Sequence, residues 1–330
     1  MGSRKGISLA RYKLIYKRQE NPGWGVDYIP GQLATPQEAP SISRAYILTP
    51  AKLGARDTHL LSTPERDAAL LGLYHPEVLG LQEQRILSPE PAVHPLWTFP
   101  GIDRTNLRGL CGTIEAAEQL GFLDVLPKLW VMAPDSNERK IPVVFPWLGD
   151  LLWAMRSPDD RMYCVNWSIK GKAEEFCQKS TRGLIRNQSF VTVQELLARH
   201  EIEEFHYKSG KIPTHRISGD KIDRHVANNL RQLFLHHRRP IGLAESQRQA
   251  LLASLQQGLG LGTSAADVIR VVAARRGLAF GDCRSAFYQM VWNRELRLDL
   301  FSPVLIDRPM RAEVRDVVQE YADWFRWAGL

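Results

Sequence analysis

Two apolar runs, PVVFPWLGDLLWAM and MYCVNWSIK, flank the segment Ser157-Pro158-Asp159-Asp160-Arg161 in the middle of the chain. A proline beside paired aspartates predicts a turn, and the flanking runs predict antiparallel strands. Side chains alternate across a strand, so Tyr163, Val165, Trp167 and Ile169 share an apolar face, while Asn166, Ser168 and Lys170 share the other. With the turn centred on Asp159, Asp150 falls opposite Ser168, on the face that carries Lys170. A centre half a residue away pairs Asp150 with the apolar face instead, so the site depends on register.

The same patterning predicts a helix over 63–74, with Ser62 as N-cap, Pro64 and Glu65 in its first turn, and His75-Pro76 ending it. Residues 78–87 alternate and predict an edge strand. Residues 97–140 are expected to be an insertion, loop-rich apart from a helix near 114–126. A helix over 192–207 and a strand over 212–218 follow. Beyond 219 the chain is mostly helical, with apolar spacing over 230–236, 244–257, 264–275 and 282–292 and a short wing strand at 296–300. Residues 1–20 predict a basic arm, and 21–40, rich in Gly and Pro, an ordered loop. The whole is α/β: a catalytic domain at 1–218 and a helical, winged-helix-like C-terminal domain at 219–330.

The 330 residues carry a formal charge of +7, which favours an acidic partner such as nucleic acid. The four cysteines, Cys111, Cys164, Cys177 and Cys283, are scattered, as expected of reduced thiols in the cytoplasm. No apolar run reaches membrane-spanning length and no leader is read at the N-terminus, so a cytoplasmic protein with no membrane partner is expected. The histidines never take a zinc spacing; His206, His215, His236 and His237 are expected at the surface or facing phosphates. Gly258, Gly260 and Gly262 read as a helix stop rather than a nucleotide cradle, and Cys164 as a packed thiol.

A carboxylate opposite Ser-x-Lys at the edge of an apolar hairpin needs a partner, because isolated buried charge is costly. One outcome is an Asp150–Lys170 ion pair. The other is a metal-dependent phosphodiesterase, with Asp150 on Mg²⁺, Lys170 orienting water or stabilising charge on phosphorus, and Glu65 completing the set. Candidate phosphate contacts are Arg4, Lys5, Arg11, Lys172, Arg238 and Arg239.

Several ordered blocks resemble the TnsA family, the endonuclease subunit of heteromeric Tn7-like transposases. They are Asp27-Tyr28-Ile29-Pro30, Gln37 to Ser41, His59 to Glu65, Val78 to Gln84, Asp150, Lys170, and the stretch from Lys211 through Ile222. The resemblance covers most of the chain. It implies a restriction-endonuclease-like core of the PD-(D/E)xK type on a mixed sheet, with Glu65, Asp150 and Lys170 catalytic. Mg²⁺, with Mn²⁺ able to substitute, would sit on Glu65, Asp150 and Ser168. Such a subunit nicks the 5′ ends of the transposon DNA. A TnsB-like DDE transposase cuts and joins the 3′ ends, and a TnsC-like AAA+ ATPase contacts the C-terminal domain. Ser168 departs from the pattern, which has an acid or amide there; a hydroxyl is the poorer Mg²⁺ ligand. The alternatives are an inactive DNA- and partner-binding assembly subunit and a stand-alone restriction-type nuclease.

Overall fold

The computed structural model describes residues 6–133, 139–177 and 193–327, with the backbone alone for 193–196. In chain order the elements begin with α1 (Leu9–Gln19), β1 (Tyr46–Leu48), β2 (Thr58–Leu60), α2 (Thr63–Tyr74), β3 (Val78–Glu83) and β4 (Ile86–Leu87). They continue with α3 (Thr113–Leu120), β5 (Lys128–Met132), β6 (Lys140–Val144), β7 (Trp147–Leu148), β8 (Leu151–Arg156) and β9 (Met162–Lys170). The remainder are α4 (Val193–Ser209), β10 (Thr214–Ser218), α5 (Arg224–Phe234), α6 (Glu245–Gly260), α7 (Ala265–Arg276), α8 (Phe280–Trp292) and α9 (Val317–Glu320). The chain is mixed α/β, and among the described residues no helix is long and apolar enough to cross a membrane.

Two compact units divide it. The first comprises Met1–Ala68, Glu77–Lys221 and Trp324–Leu330; the second comprises Ala69–Pro76 and Ile222–Asp323. A four-stranded sheet in the order β10-β9-β8-β3 is the centre of the first. The hairpin turn at 157–161 joins β8 and β9 antiparallel, with Leu151 opposite Trp167 and Trp153 opposite Val165. β3 adds antiparallel at one edge and β10 parallel at the other. A parallel neighbour needs a crossover, which contains α4.

Both faces of the β8–β9 hairpin are covered, which is why β8 reads as an unbroken apolar run. On one face Trp153 and Trp167 meet edge-on at 5.3 Å, and Trp167 Nε1 donates to the carbonyl of Trp324 at 2.6 Å. On the other, Leu152, Ala154 and Cys164 pack with Tyr207 of α4. The face carrying Asn166 and Ser168 is therefore buried too, at 0% and 3% exposure, so its polar groups need partners within the protein. Cys164 is a packed thiol, its pKa pushed well up by burial.

Four expectations for the first unit need correction. The basic N-terminus is no arm: α1 places Tyr12, Ile15, Tyr16 and Gln19 on one stripe, and Ile15 is buried with Ile86, Phe145 and Leu148. Basic residues between those positions hide the stripe in the sequence. Residues 78–87 form two strands rather than one, because Gln84 takes a left-handed φ of 50° that breaks the ladder. The 97–140 segment is less loop-rich than expected. It ends α3 at Gly121 in the left-handed region, then carries β5, which pairs antiparallel with β6, Val131 opposite Ile141. His206, expected at the surface, is buried with Nδ1 on the Cys111 carbonyl at 2.6 Å; burial chiefly lowers its pKa to about 4.

In the second unit α6, α7 and α8 pack on one another. Gly258 of α6 lies so near α7 that a Cβ there would come within 2.5 Å of Val268. Gly262 in the left-handed region follows the end of α6, so this glycine cluster does terminate a helix. The wing strand expected at 296–300 reduces to a single antiparallel bridge, Leu298 to Ala312. A second bridge joins Ser264 to Pro309.

Candidate active site

Glu65 enters the site through local helix chemistry. Ser62 caps α2, its Oγ accepting from the Glu65 N–H at 3.3 Å and donating back to Glu65 Oε1 at 2.8 Å. Glu65 Oε2 accepts from the Leu61 N–H at 2.8 Å and from Gln84 Nε2 at 3.1 Å. Gln84 also donates its backbone N–H to the Asp150 carbonyl at 3.0 Å. The kinked residue after β3 thus ties α2 to the start of β8. Strained backbone of this kind persists where its surroundings over-determine it, and here both ends of Gln84 are held.

The register meets the expectation for Asp150. Leu151 is the last paired residue of β8, opposite Trp167, so Asp150 comes level with Ser168. Its Oδ2 accepts from the Ile169 N–H at 2.6 Å. Lys170 ends β9, half-buried, beside Ser218 of β10. Glu65, Asp150 and Lys170 meet electrostatically. Burial, then the charge of Asp150, pushes the Glu65 carboxyl up to about 7, against smaller opposing effects from Leu61, Ser62 and Lys170.

Sequence reasoning missed the α4 side of the site. Glu203 is buried, and its Oε1 accepts from Asn166 Nδ2 at 3.0 Å. Burial and then Asp150 raise its pKa, so Glu203 is a third carboxyl within the same field. His200 covers Ser168, with Nδ1 3.4 Å from Oγ and the ring 5.1 Å from Phe176. Burial first, then Lys170, Arg199 and Arg216, lower the His200 pKa to about 3, which keeps it uncharged at neutral pH. The only sequence signal was the glutamate-rich face of α4, where nothing distinguishes Glu203 from exposed Glu201.

The donor set suits a hard divalent cation. Two carboxylates whose charges oppose each other are relieved by a cation, and the Asn166 Oδ1 is buried with no hydrogen-bond partner. Among the described residues no cluster of three or more His, Cys, Asp or Glu has metal-holding geometry. Mg²⁺ is commonly held through one or two carboxylates and several waters, so Glu65 and Asp150 suffice in number. Ser168 Oγ, turned to His200, would be the weaker third donor.

The other candidates are dispersed. Arg4 and Lys5 lie outside the described residues, as does Thr192 at the start of the expected 192–207 helix. Arg11 is built into the fold, donating to Gln32 Oε1 at 2.7 Å and lying over the Phe145 ring. Lys172 is exposed two residues beyond Lys170. Arg238 and Arg239 are exposed in the second unit. No protein-family model and no curated protein matches this chain.

Proposed function

We propose that this chain is the Mg²⁺-dependent DNA endonuclease subunit of a Tn7-like cut-and-paste transposase, similar to TnsA. It nicks the 5′ ends of the element while a DDE-type partner cuts and joins the 3′ ends. The observation that carries this reading is the meeting of Glu65 and Asp150, bridged by Gln84, with Lys170 two residues beyond Ser168. A mixed sheet with Asp150 just before β8, Lys170 ending the neighbouring β9, and Glu65 on the preceding helix supports reading the first unit as a restriction-endonuclease-like core.

Held by Glu65 and Asp150, Mg²⁺ or Mn²⁺ would supply positive charge to the scissile phosphate and lower the pKa of the attacking water. Lys170, half-buried at the strand end, offers its ammonium to the charge that develops on the phosphate. The Ile169 N–H on Asp150 Oδ2 fixes one carboxylate oxygen and orients the other. Burial and Asp150 push the Glu203 carboxyl toward its neutral form, and a cation held by Glu65 and Asp150 would favour its charged form.

One observation favours a second reading, a non-catalytic assembly subunit with the same fold. The Glu65 carboxylate already receives three hydrogen bonds and serves the cap of α2. Strand-resolved cleavage of transposon-end DNA, in Mg²⁺ with the partner transposase, separates the two. Asp150→Ala should abolish 5′ nicking and leave 3′ cleavage intact; 5′ nicking unchanged from wild type would mean a scaffold.

A further inference from the structure

The β8–β9 hairpin has two ends, and the nuclease residues occupy only one of them. Met162 and Lys170 bound β9, about 26 Å apart at the usual strand rise. At the Met162 end the first unit holds a cleft of about 870 Å³, within the size range of small-molecule sites. Its floor is the outer side of a core cluster, buried Leu96 and Cys164 with Ile102 and Met162 half-buried against them. Three rings line it from separate segments: Phe99 in the loop before α3, Tyr163 on β9, and Trp327. The Tyr163 and Trp327 centroids lie 6.1 Å apart, so these two rings touch and make one wall. Tyr163 Oη donates to the Phe325 carbonyl at 3.1 Å, which fixes the segment that bears Trp327. Arg161 covers one part of the Trp327 ring, at 5.3 Å from its centroid.

Charge around this cleft is uneven. Arg156 is paired with Asp160 at 3.3 Å, Arg161 with Asp159, and the Asp103 carboxylate accepts from the Thr105 N–H at 2.9 Å. Arg108 and Lys211 line the cleft, exposed, with no ion pair among the described residues. Two unneutralised cations beside an apolar floor favour an anionic group, and phosphate oxygens accept from both side-chain types. Asn106 is also exposed in the lining, and its amide offers a donor and an acceptor together.

Lys211 carries a second, independent observation. It follows α4 and Gly210 with φ 60°, the left-handed position at a helix end that glycine favours. The Ile212 N–H donates to the Tyr207 carbonyl at 3.0 Å and holds the chain in that course. A glycine there would relieve the strain, yet the position places a long cation at the cleft. Non-glycine residues held in this way cluster at binding and catalytic sites. An aliphatic anion would use the floor and the cations but not the rings or the amide. A nucleotide uses all of them: its base stacks on the rings, its polar edge meets Asn106, and its phosphate meets Arg108 and Lys211.

We propose that this cleft is a nucleotide-binding site separate from the nuclease centre, with the base among Phe99, Tyr163 and Trp327 and the phosphate on Arg108 and Lys211. Its ligand is a single nucleotide, drawn either from the free pool or from an unpaired end of a DNA strand. The test is calorimetry of the full chain in EDTA, titrated with AMP to about 5 mM. AMP should bind one to one, and adenosine, which lacks the phosphate, about tenfold more weakly or worse. Lys211→Gly should weaken AMP about tenfold while keeping or raising the melting temperature, because it removes the cation and relieves the backbone. Trp327→Ala should weaken AMP about fivefold or more through lost stacking. Glu65→Ala/Asp150→Ala should bind AMP as wild type does, so a failed nuclease reading leaves this result standing. A single-stranded oligonucleotide that displaces AMP assigns the site to a strand end; one that leaves AMP bound assigns it to a free nucleotide. No AMP binding by wild type, adenosine or decanoate binding as tightly as AMP, or full AMP affinity in Lys211→Gly would overturn the proposal.

Discussion

Gln84 donates its side-chain amide to the carboxylate of Glu65 at 3.1 Å from a backbone held at φ 50°. That bond joins the start of α2 to the residue just after β3, 19 positions along the chain. Gln84→Ala keeps the left-handed strain and loses the bond, so it should cost about 1 to 2 kcal/mol in urea denaturation. Nicking should fall more than stability does, since Glu65 loses a restraint. Full activity in Gln84→Ala would show that Glu65 is positioned by Ser62 and Leu61 alone.

The Glu65 carboxyl titrates at 4.5 when unperturbed and near 7 in the folded protein. Between those values the folded state holds a proton that the unfolded chain has released. Stability therefore falls as pH rises from 4.5 to about 7, and the full penalty persists above that. Glu65→Gln removes the penalty and should stabilise the metal-free protein at about pH 8, by on the order of 2 kcal/mol, with the gap closing near pH 4. Thermal melts in EDTA measure this; a variant that is less stable at both pH values would contradict it.

Glu203 is the carboxylate that the amino-acid pattern does not mark. Its carboxyl, buried on α4 beside Asn166, is held toward the neutral form, and a cation on Glu65 and Asp150 would draw it to the charged one, so the two are coupled. Glu203→Gln keeps the hydrogen bond from Asn166 and should weaken Mn²⁺ binding by about tenfold in calorimetry of the full chain. Equal affinity would remove Glu203 from the site.

Away from the site, Glu83 is fully buried and receives both Arg56 terminal nitrogens, at 2.8 and 2.7 Å, plus the His59 N–H at 3.0 Å. Arg56→Ala leaves that carboxylate without its cation and should destabilise the protein by about 3 to 5 kcal/mol. A loss under about 1 kcal/mol in urea denaturation would mean that the pair contributes nothing beyond its desolvation cost.

Gly112 caps α3, and a Cβ there would lie 2.0 Å from the Pro89 carbonyl oxygen. Backbone cannot swing aside, so Gly112→Ala should cost about 1 to 3 kcal/mol or more. α3 packs Ala116 and Ala117 against Ile202 of α4, next to Glu203. The substitution should therefore weaken Mn²⁺ binding as well as stability, and unchanged melting would refute the clash.

Where local chemistry was strong, the chain was legible. Pro158 and the paired aspartates fixed the β8–β9 turn, and from it followed the level of Asp150 with Ser168. Ser62, Pro64 and His75-Pro76 bounded α2 at 63–74, where the structure has it. What stayed hidden depends on contacts distant in sequence. The Gln84 kink answers to α2 and β8 together. Ile15 is buried only because Ile86, Phe145 and Leu148 come to it. The polar side of β9 was legible as a face, but not that α4 brings His200 and Glu203 over it. The strand expected at 296–300 has a single bridge, Leu298 to Ala312, whose partner lies a dozen residues beyond the segment's end.

The central claim is that Glu65, Asp150 and Lys170 act as one site. The most direct test is the rate of Mg²⁺-dependent 5′ nicking in the reconstituted reaction, for each alanine variant and for the triple. Groups that act as a unit are non-additive: each single variant should lose about 100-fold or more, and the triple should be no worse than the worst single. Full cutting by any one of the three variants, or small losses that multiply in the triple, would contradict it.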